Sequence, residues 1–346
     1  MTIRVLHLVG SAVSDFLADL SRLYATDCIE ATSDPTRYEF HIAYVTPDGR
    51  WRFPADLRPE SIDAAAALPV AEAILQVSTL RCDVVVPQMF CTPGMTSYRA
   101  LFDVLGIPYL GNTAAVMALG ADKVKAKAVV AAAGVRVPAG EVLRRGQQPT
   151  MAPPVVVKPA AGDNSFGVTL VRERSEYPAA LDCAFEHGDE VLVETFVELG
   201  REVRCGVLER DRELVCLPLE EYNVNPISKP IRSYDDKISR DSEGDLRLVA
   251  KEATKAWVVD PGDPITEVIW EAARRCHQAL GCRHYSLFDF RVDPGGQPFF
   301  LEAGLYCSFA EQSVISVMAK AAGIPLRVLF ESAIQECLRE ITPTGS

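Results

Sequence analysis

The sequence predicts an α/β protein, and three observations carry that prediction. Apolar, β-branched runs such as "IRVLHLV", "YEFHIAYVT" and "CDVVVPQM" recur along the first third of the chain. Helix-length stretches separate them. Glycines such as Gly106 and Gly134 punctuate the joins. Strands that alternate with helices build a parallel sheet with crossover helices. At 346 residues the chain has room for two or three domains.

Residues 3–9 predict a buried strand, followed by a loop and a helix over about 16–31. Strands over 38–46 and 82–89 flank an Ala-rich helix over 60–80. Residues 97–111 predict a helix, a stop at Gly106 and a short strand, and this first block ends near 120. A helix over 120–138 stops at Gly134 and passes into a strand. A further helix falls near 176–187 and a strand over 190–197. Residues 201–222 predict two antiparallel strands that turn at "ERDRE". Residues 223–262 are polar and read as one long loop, a length typical of active-site lids. A helix over 265–281, the strands "HYSLFDFRV" and "PFFLEAG", and a helical stretch over 311–340 complete the chain.

Composition excludes several classes. Forty-eight per cent hydrophobic and 24 per cent charged residues suit a soluble globular protein. A net charge of -12 argues against general nucleic-acid binding. No apolar run approaches the roughly 18 residues of a membrane span. The start "MTIRVLHLVG" reads as a first strand, not a signal peptide. Ten scattered cysteines without a C-x-x-C pair read as free thiols, which fits a reducing cytoplasm. The five histidines show no metal-ligand spacing and read as packing or surface.

Chemistry concentrates in four places. In "VVVKPAAGDNSFGV" an apolar run delivers Lys158 to a Gly/Ser/Asn loop. Small residues let backbone N–H groups approach an anion, and the lysine supplies a point charge for phosphate. In "VLVETFVELGRE" an extended run can hold a purine edge by its backbone, with a carboxylate beyond it for ribose hydroxyls. "FDFRV" and "FFLEAG" suit an antiparallel hairpin that sets Asp289 opposite Glu302. Two carboxylates among phenylalanines repel unless a cation joins them, and hard oxygen ligands suit Mg²⁺. Arg291 follows two residues after Asp289, on the same face. Lys123 opens "KVKAK", which taken alone reads as a solvated helix face.

Taken in order, "LGIPYLGN", "ALGADKVKAKAVVAAAGVRVP", "VVVKPAAGDNSFGV", "EVLVETFVELGRE", "RSYDDK", "GCRHYSLFDFRVD" and "FFLEAG" resemble the ATP-grasp superfamily, and within it the D-alanine–D-alanine ligase family. The resemblance implies an α/β ATP-grasp fold of three domains: 1–120, a central 121–200 and a C-terminal 201–340. ATP would lie between the last two. Lys123 and Lys158 would hold phosphates, and Asn164 or Ser165 would cap the γ-phosphate. Glu194, Thr195, Phe196 and Val197 would line the adenine and Glu202 would bind ribose. Asp289 and Glu302 would bind Mg²⁺. Tyr234 and Lys237 match a mobile loop over the reaction centre. Arg204, Arg291 and Lys237 would offset developing charge. Asp15 and Gln88 would face the substrate. A cytoplasmic homodimer, joined through the N-terminal domain, is also implied.

Departures from the family concern the acceptor. Leu287 stands where the dipeptide ligases carry arginine, and Gly304 where they carry asparagine. The first-loop glutamate is matched only by Asp15. "LHLVGSAVSDFLADLSRLYA", "YVTPDGRWRFP" and "VVPQMFCTPGMTSYRALFD" are similar to ligases of mycosporine-like amino acid biosynthesis. That likeness implies ATP-dependent condensation of mycosporine-glycine, a cyclohexenone, with an amino acid. The alternatives are a D-Ala–D-Ala-like or other carboxylate–amine ligase, and an ATP-binding regulatory protein without turnover.

Overall fold

The computed structural model describes residues 2–161, 167–225, 231, 238–240, 246–248 and 255–339. Of the expected site residues, Asn164, Ser165, Tyr234 and Lys237 lie outside this set.

The first block runs β1 (Ile3–Gly10), α1 (Asp15–Thr32), β2 (Tyr38–Val45), β3 (Trp51–Arg52), α2 (Pro59–Ala64), α3 (Val70–Leu80), β4 (Val84–Pro87), α4 (Thr92–Met95) and α5 (Ser97–Leu105). The strands form a sheet of order β3-β2-β1-β4, with β1 parallel to both β2 and β4. Both faces of β1 are buried. Leu6 and Leu8 pack with Trp51 and Phe102, while Val5 packs with Phe309 and Phe330. The helix expected over 60–80 is instead two. Leu68 pairs with Trp51 as an isolated bridge and Pro69 caps the second helix, so the chain returns to the sheet edge between them.

Next come α6 (Ala114–Ala121), α7 (Lys123–Ala132), β5 (Gly140–Arg144), β6 (Val155–Pro159), β7 (Thr169–Val171), α8 (Tyr177–Phe185) and β8 (Glu190–Thr195). The expected helix over 120–138 breaks at Asp122. Its carboxylate accepts from the Val124 and Lys125 amides and starts α7 afresh. The strands make an antiparallel sheet of order β5-β8-β6-β7.

The last block holds β9 (Arg201–Arg210), β10 (Glu213–Cys216), β11 (Glu220–Tyr222), β12 (Ile238–Arg240), β13 (Leu246–Leu248), β14 (Ala256–Val258), α9 (Ile265–Leu280), β15 (Tyr285–Val292), β16 (Pro298–Gly304), α10 (Val314–Ala321) and α11 (Leu326–Arg339). Six strands form one sheet of order β14-β11-β9-β15-β16, with β10 also paired to β9. Residues 201–222 thus hold three strands, not two. β10 and β11 lie end to end along one edge of β9, interrupted at Leu217–Leu219. The region expected as one loop, 223–262, contains β12 to β14. Three-residue strands in polar sequence leave too few alternations to be seen.

One face of this sheet is apolar throughout. Val203, Cys205, Phe288 and Phe290 pack against Ile269, Ala273 and Cys276 of α9. The opposite face changes character along the strands. Its Leu208, Tyr285 and Leu287 end joins the core beneath α10 and α11. Its Arg204, Asp289 and Arg291 end is polar.

The N-terminal block is fixed to this sheet by Gly111 and Asn112. The Asn112 amide donates to Tyr285 O and Leu305 O, both at 2.9 Å, and its oxygen accepts from the Arg283 amide. Gly111 has φ +83°, and a Cβ there would come within 2.3 Å of the Tyr285 hydroxyl. Only glycine fits.

Candidate active site

The site lies where α7 spans the gap between the four-stranded and six-stranded sheets. Lys123 and Lys127 are four residues apart and share one face of α7. Both are buried, whereas Lys125 between them is exposed. A solvated lysine face, the isolated expectation for this helix, therefore holds only for Lys125. Lys127 was not singled out from sequence, although its i, i+4 spacing from Lys123 was the available signal.

Lys127 reaches the four-stranded sheet. Its Nζ lies 2.9 Å from Glu194 Oε2 and donates to Phe300 O at 3.2 Å. Lys158, on the neighbouring strand β6, donates to Glu194 Oε1 at 2.5 Å. One buried carboxylate thus holds two buried ammonium groups. Burial pulls the Lys127 ammonium down to about 8, Lys158 adds to that repulsion, and Glu194 partly opposes it. Burial pushes the Glu194 carboxyl up, but the two lysines outweigh it and hold it below the usual range. The cluster carries net positive charge, the condition for holding a polyanion. Glu194, expected against adenine, meets Lys127 and Lys158 with its two carboxylate oxygens. Lys123 reaches the other sheet, with Nζ 3.9 Å from Glu302 Oε2. Its amide donates to Ala160 O, which ties α7 to the chain leaving Lys158.

On the six-stranded sheet, Asp289 pairs in register with Glu302, as expected from the hairpin spacing. On its other side Asp289 pairs with Arg204 of β9, and Arg204 with Glu220 of β11. The row Glu220–Arg204–Asp289–Glu302 crosses four strands. Arg204 lies against both oxygens of Asp289: a terminal nitrogen donates to Oδ2 at 2.8 Å, and Nε is 2.5 Å from Oδ1 as an ion-pair contact. Its guanidinium lies 5.3 Å from the Tyr222 ring centroid. Burial alone would lower its pKa, yet Asp289 and the Tyr222–Glu220 side raise it well above the ordinary arginine value. Glu220 is buried and accepts from the Tyr222 hydroxyl.

One step along the same face lies a second row, in which Arg291 pairs with Glu202. Their side chains meet at 3.1 Å. Arg291 also donates to Val197 O at 3.4 Å and sits 5.3 Å from the Phe196 ring centroid. Phe196, Val197 and Glu202 thus converge where the chain crosses from one sheet to the other, with Thr195 exposed at the end of β8. Of the two arginines expected to offset charge, Arg204 meets Asp289, whereas Arg291 meets Glu202 and the crossing segment. In the opposite direction the row is Gly206–Leu287–Gly304, without a polar side chain.

The two substrate-facing expectations are placed elsewhere. Gln88 is fully buried; its amide oxygen faces His7 Nδ1 at 3.0 Å and its nitrogen donates to Ser308 O at 3.0 Å. Its two ends join β1 to the chain beyond β16, and the side chain is closed off from solvent. Asp15 is exposed at the start of α1, in a groove lined by Arg22, Tyr44 and Asp63 that contains none of the residues of the two rows.

Among the described residues, no three His, Cys, Asp or Glu side chains come together as a complete metal cage. Asp289 and Glu302 do supply two hard oxygen donors on paired positions. That set fits Mg²⁺, which takes few protein carboxylates and completes its shell with waters and phosphate oxygens.

Comparison with known proteins agrees with this fold. Residues 132–335 match the family model described as D-ala D-ala ligase C-terminus. The D-alanine–D-alanine ligase of Citrifermentans bemidjiense is 33% identical over 246 residues, 69% of this chain and 73% of that protein. The VanG D-Ala:D-Ser ligase from Enterococcus faecalis shares the fold with a TM-score of 0.73 at 22% identity, covering 97% of this chain and 99% of the other. The Bacillus anthracis D-alanine–D-alanine ligase complexed with ATP superposes with a TM-score of 0.73 at 20% identity, covering 99% and 100%. The fold and site define an ATP-grasp enzyme, an ADP-forming ligase. The chain belongs to the D-alanine–D-alanine ligase family.

Proposed function

We propose that this enzyme joins a carboxylate to an amine, in the manner of a D-Ala–D-Ala ligase. ATP phosphorylates a carboxylate oxygen, and the amine then displaces phosphate from the acyl phosphate. The observation that carries this reading is the Lys158–Glu194–Lys127 cluster facing the Asp289–Glu302 pair across α7. Phosphoryl transfer needs positioning and charge neutralisation, and this seam supplies both. Lys123, Lys127 and Lys158 would hold phosphate oxygens. Asp289 and Glu302 would hold Mg²⁺, which supplies charge neutralisation between phosphates. Phe196 and Val197 would line the base, and Glu202, oriented by Arg291, would take the ribose. Arg204 would face the oxygen that receives the phosphoryl group.

A second reading keeps the ATP chemistry and changes the acceptor to the carbonyl oxygen of mycosporine-glycine, with an imine as product. Leu287 and Gly304 favour it, because they stand where the dipeptide ligases carry arginine and asparagine and so mark a rebuilt acceptor side. The relatives described above favour the carboxylate reading. Phosphate release with Mg–ATP separates the two. Release with amino acids alone establishes the carboxylate–amine ligase. Release only when mycosporine-glycine is added, with a product of condensed mass, establishes the second. We further propose the domain division 1–120, 121–200 and 201–340, residence in the cytoplasm, and a homodimer. Exposed Val70, Leu75 and Val104 on the N-terminal helices offer apolar surface for that contact.

A further inference from the structure

The Asp289 row poses a problem that its own geometry resolves. Arg204 occupies both oxygens of Asp289, the carboxylate proposed for the metal. A cation that takes Asp289 meets a guanidinium already against both oxygens, and their repulsion favours a shift of Arg204 away from it. A buried arginine does not let go into apolar surroundings, because an unpaired buried charge is costly. It needs a second anionic partner within reach. Glu220 stands in register with Arg204 on the strand opposite to Asp289. Its carboxylate is buried, held by the Tyr222 hydroxyl, whose ring also lies against the guanidinium.

We infer that Glu220 and Tyr222 are positioning residues that give Arg204 an alternative resting place, so that Asp289 can be surrendered to a divalent cation while Arg204 stays charged beside the reacting oxygen. Arg204 is then a guanidinium shared between two carboxylates. Glu302, beyond Asp289 in the row, lies on the metal side and cannot serve as the refuge. Leu287, two residues before Asp289, offers no positive charge, so Arg204 is the cation of this row. The inference rests on the reading of Asp289 as a metal ligand, and the test separates the two.

Mn²⁺ is titrated into the full-length protein saturated with a non-hydrolysable ATP analogue, and bound Mn²⁺ is read by electron paramagnetic resonance. Glu220→Gln keeps the shape and the bond to Tyr222 but removes the charge. It is expected to raise the Mn²⁺ Kd roughly tenfold, the worth of one charged hydrogen bond, and to lower kcat while leaving the KM for ATP unchanged. Tyr222→Phe, which deletes one hydroxyl, is expected to shift the Kd in the same direction by less. It stands in if Glu220→Gln does not fold. The decisive arm is Arg204→Met. In that background Glu220→Gln is expected to leave the Mn²⁺ Kd unchanged, because its effect acts through Arg204. An equal shift in both backgrounds, or no shift in either, overturns the inference. Asp289→Asn tests the underlying reading: unchanged Mn²⁺ binding there removes Asp289 as a ligand, whereas lost binding with a silent Glu220→Gln leaves the ligand standing and removes only the role of Glu220.

Discussion

At the scale of single residues, the informative group is the one the sequence did not advertise. Lys158 was legible because a β-branched run ends in it beside a glycine-rich loop. Lys127 was not, because a lysine-rich helix ordinarily faces water and nothing local says that two of its turns are roofed by another sheet. Its burial makes it the titrating member of the cluster. Folded Lys127 loses its proton near pH 8, against an ordinary value of 10.5. Two consequences follow from the sign. Between about pH 8 and 10.5 the unfolded chain binds the proton that the folded chain has given up, so the contribution of this group to stability rises with pH across that window. ATP phosphates favour the charged lysine, so affinity for ATP is expected to fall as pH rises through about 8. Isothermal titration of an ATP analogue from pH 6.5 to 9 checks this. Lys127→Met is expected to bind more weakly throughout and to lack the inflection, and an inflection that survives in Lys127→Met would assign the titration to another group.

At the scale of elements, the hairpin of β15 and β16 was readable because its spacing fixes register and register fixes faces. Asp289 opposite Glu302 followed directly. The partners contributed by β9 and β11 were not readable, since long-range pairing across about 85 residues depends on which strands become neighbours. That is why the sequence names Arg204 and Arg291 together as charges near the carboxylates without assigning Arg204 to Asp289 or Arg291 to Glu202. Strand alternation puts both residues on one face without saying which neighbouring carboxylate each meets. The motif "LGIPYLGN" is legible as a family feature, yet its physical role is a tie between elements: Asn112 satisfies two buried carbonyls and one half-buried amide. Asn112→Ala leaves all three groups without this partner, at about 1–3 kcal/mol for each one that water does not reach. A clear drop in thermal midpoint by calorimetry is expected. ATP-analogue affinity of the folded fraction should be nearly unchanged, because Asn112 touches neither row. A variant with wild-type stability would show that the tie carries little of the assembly.

At the scale of the whole molecule, the site exists only when two sheets are held together, and α7 is the element that touches both. Lys127 engages Glu194 on one sheet and Phe300 O on the other, and Lys123 approaches Glu302. A ligand seated in that seam binds the assembled protein and not its separated halves, so its binding energy appears as global stability. At one hundred times its Kd, a ligand specific for the folded state adds about 2.7 kcal/mol, a shift of a few degrees for a chain of this size. ATP with Mg²⁺ is expected to raise the thermal midpoint more than ATP with a chelator, because only the former engages the Asp289–Glu302 pair. In Asp289→Asn the midpoint with ATP should become independent of Mg²⁺, while a rise due to ATP alone should persist through the three lysines. Differential scanning fluorimetry of both proteins without ATP, with ATP and a chelator, and with ATP and Mg²⁺ distinguishes the contributions. Equal midpoints with and without Mg²⁺ in the wild-type protein would sever the metal from the two carboxylates. Loss of the ATP-only shift in Asp289→Asn would instead mean that the two sheets cannot be assigned separate halves of the nucleotide.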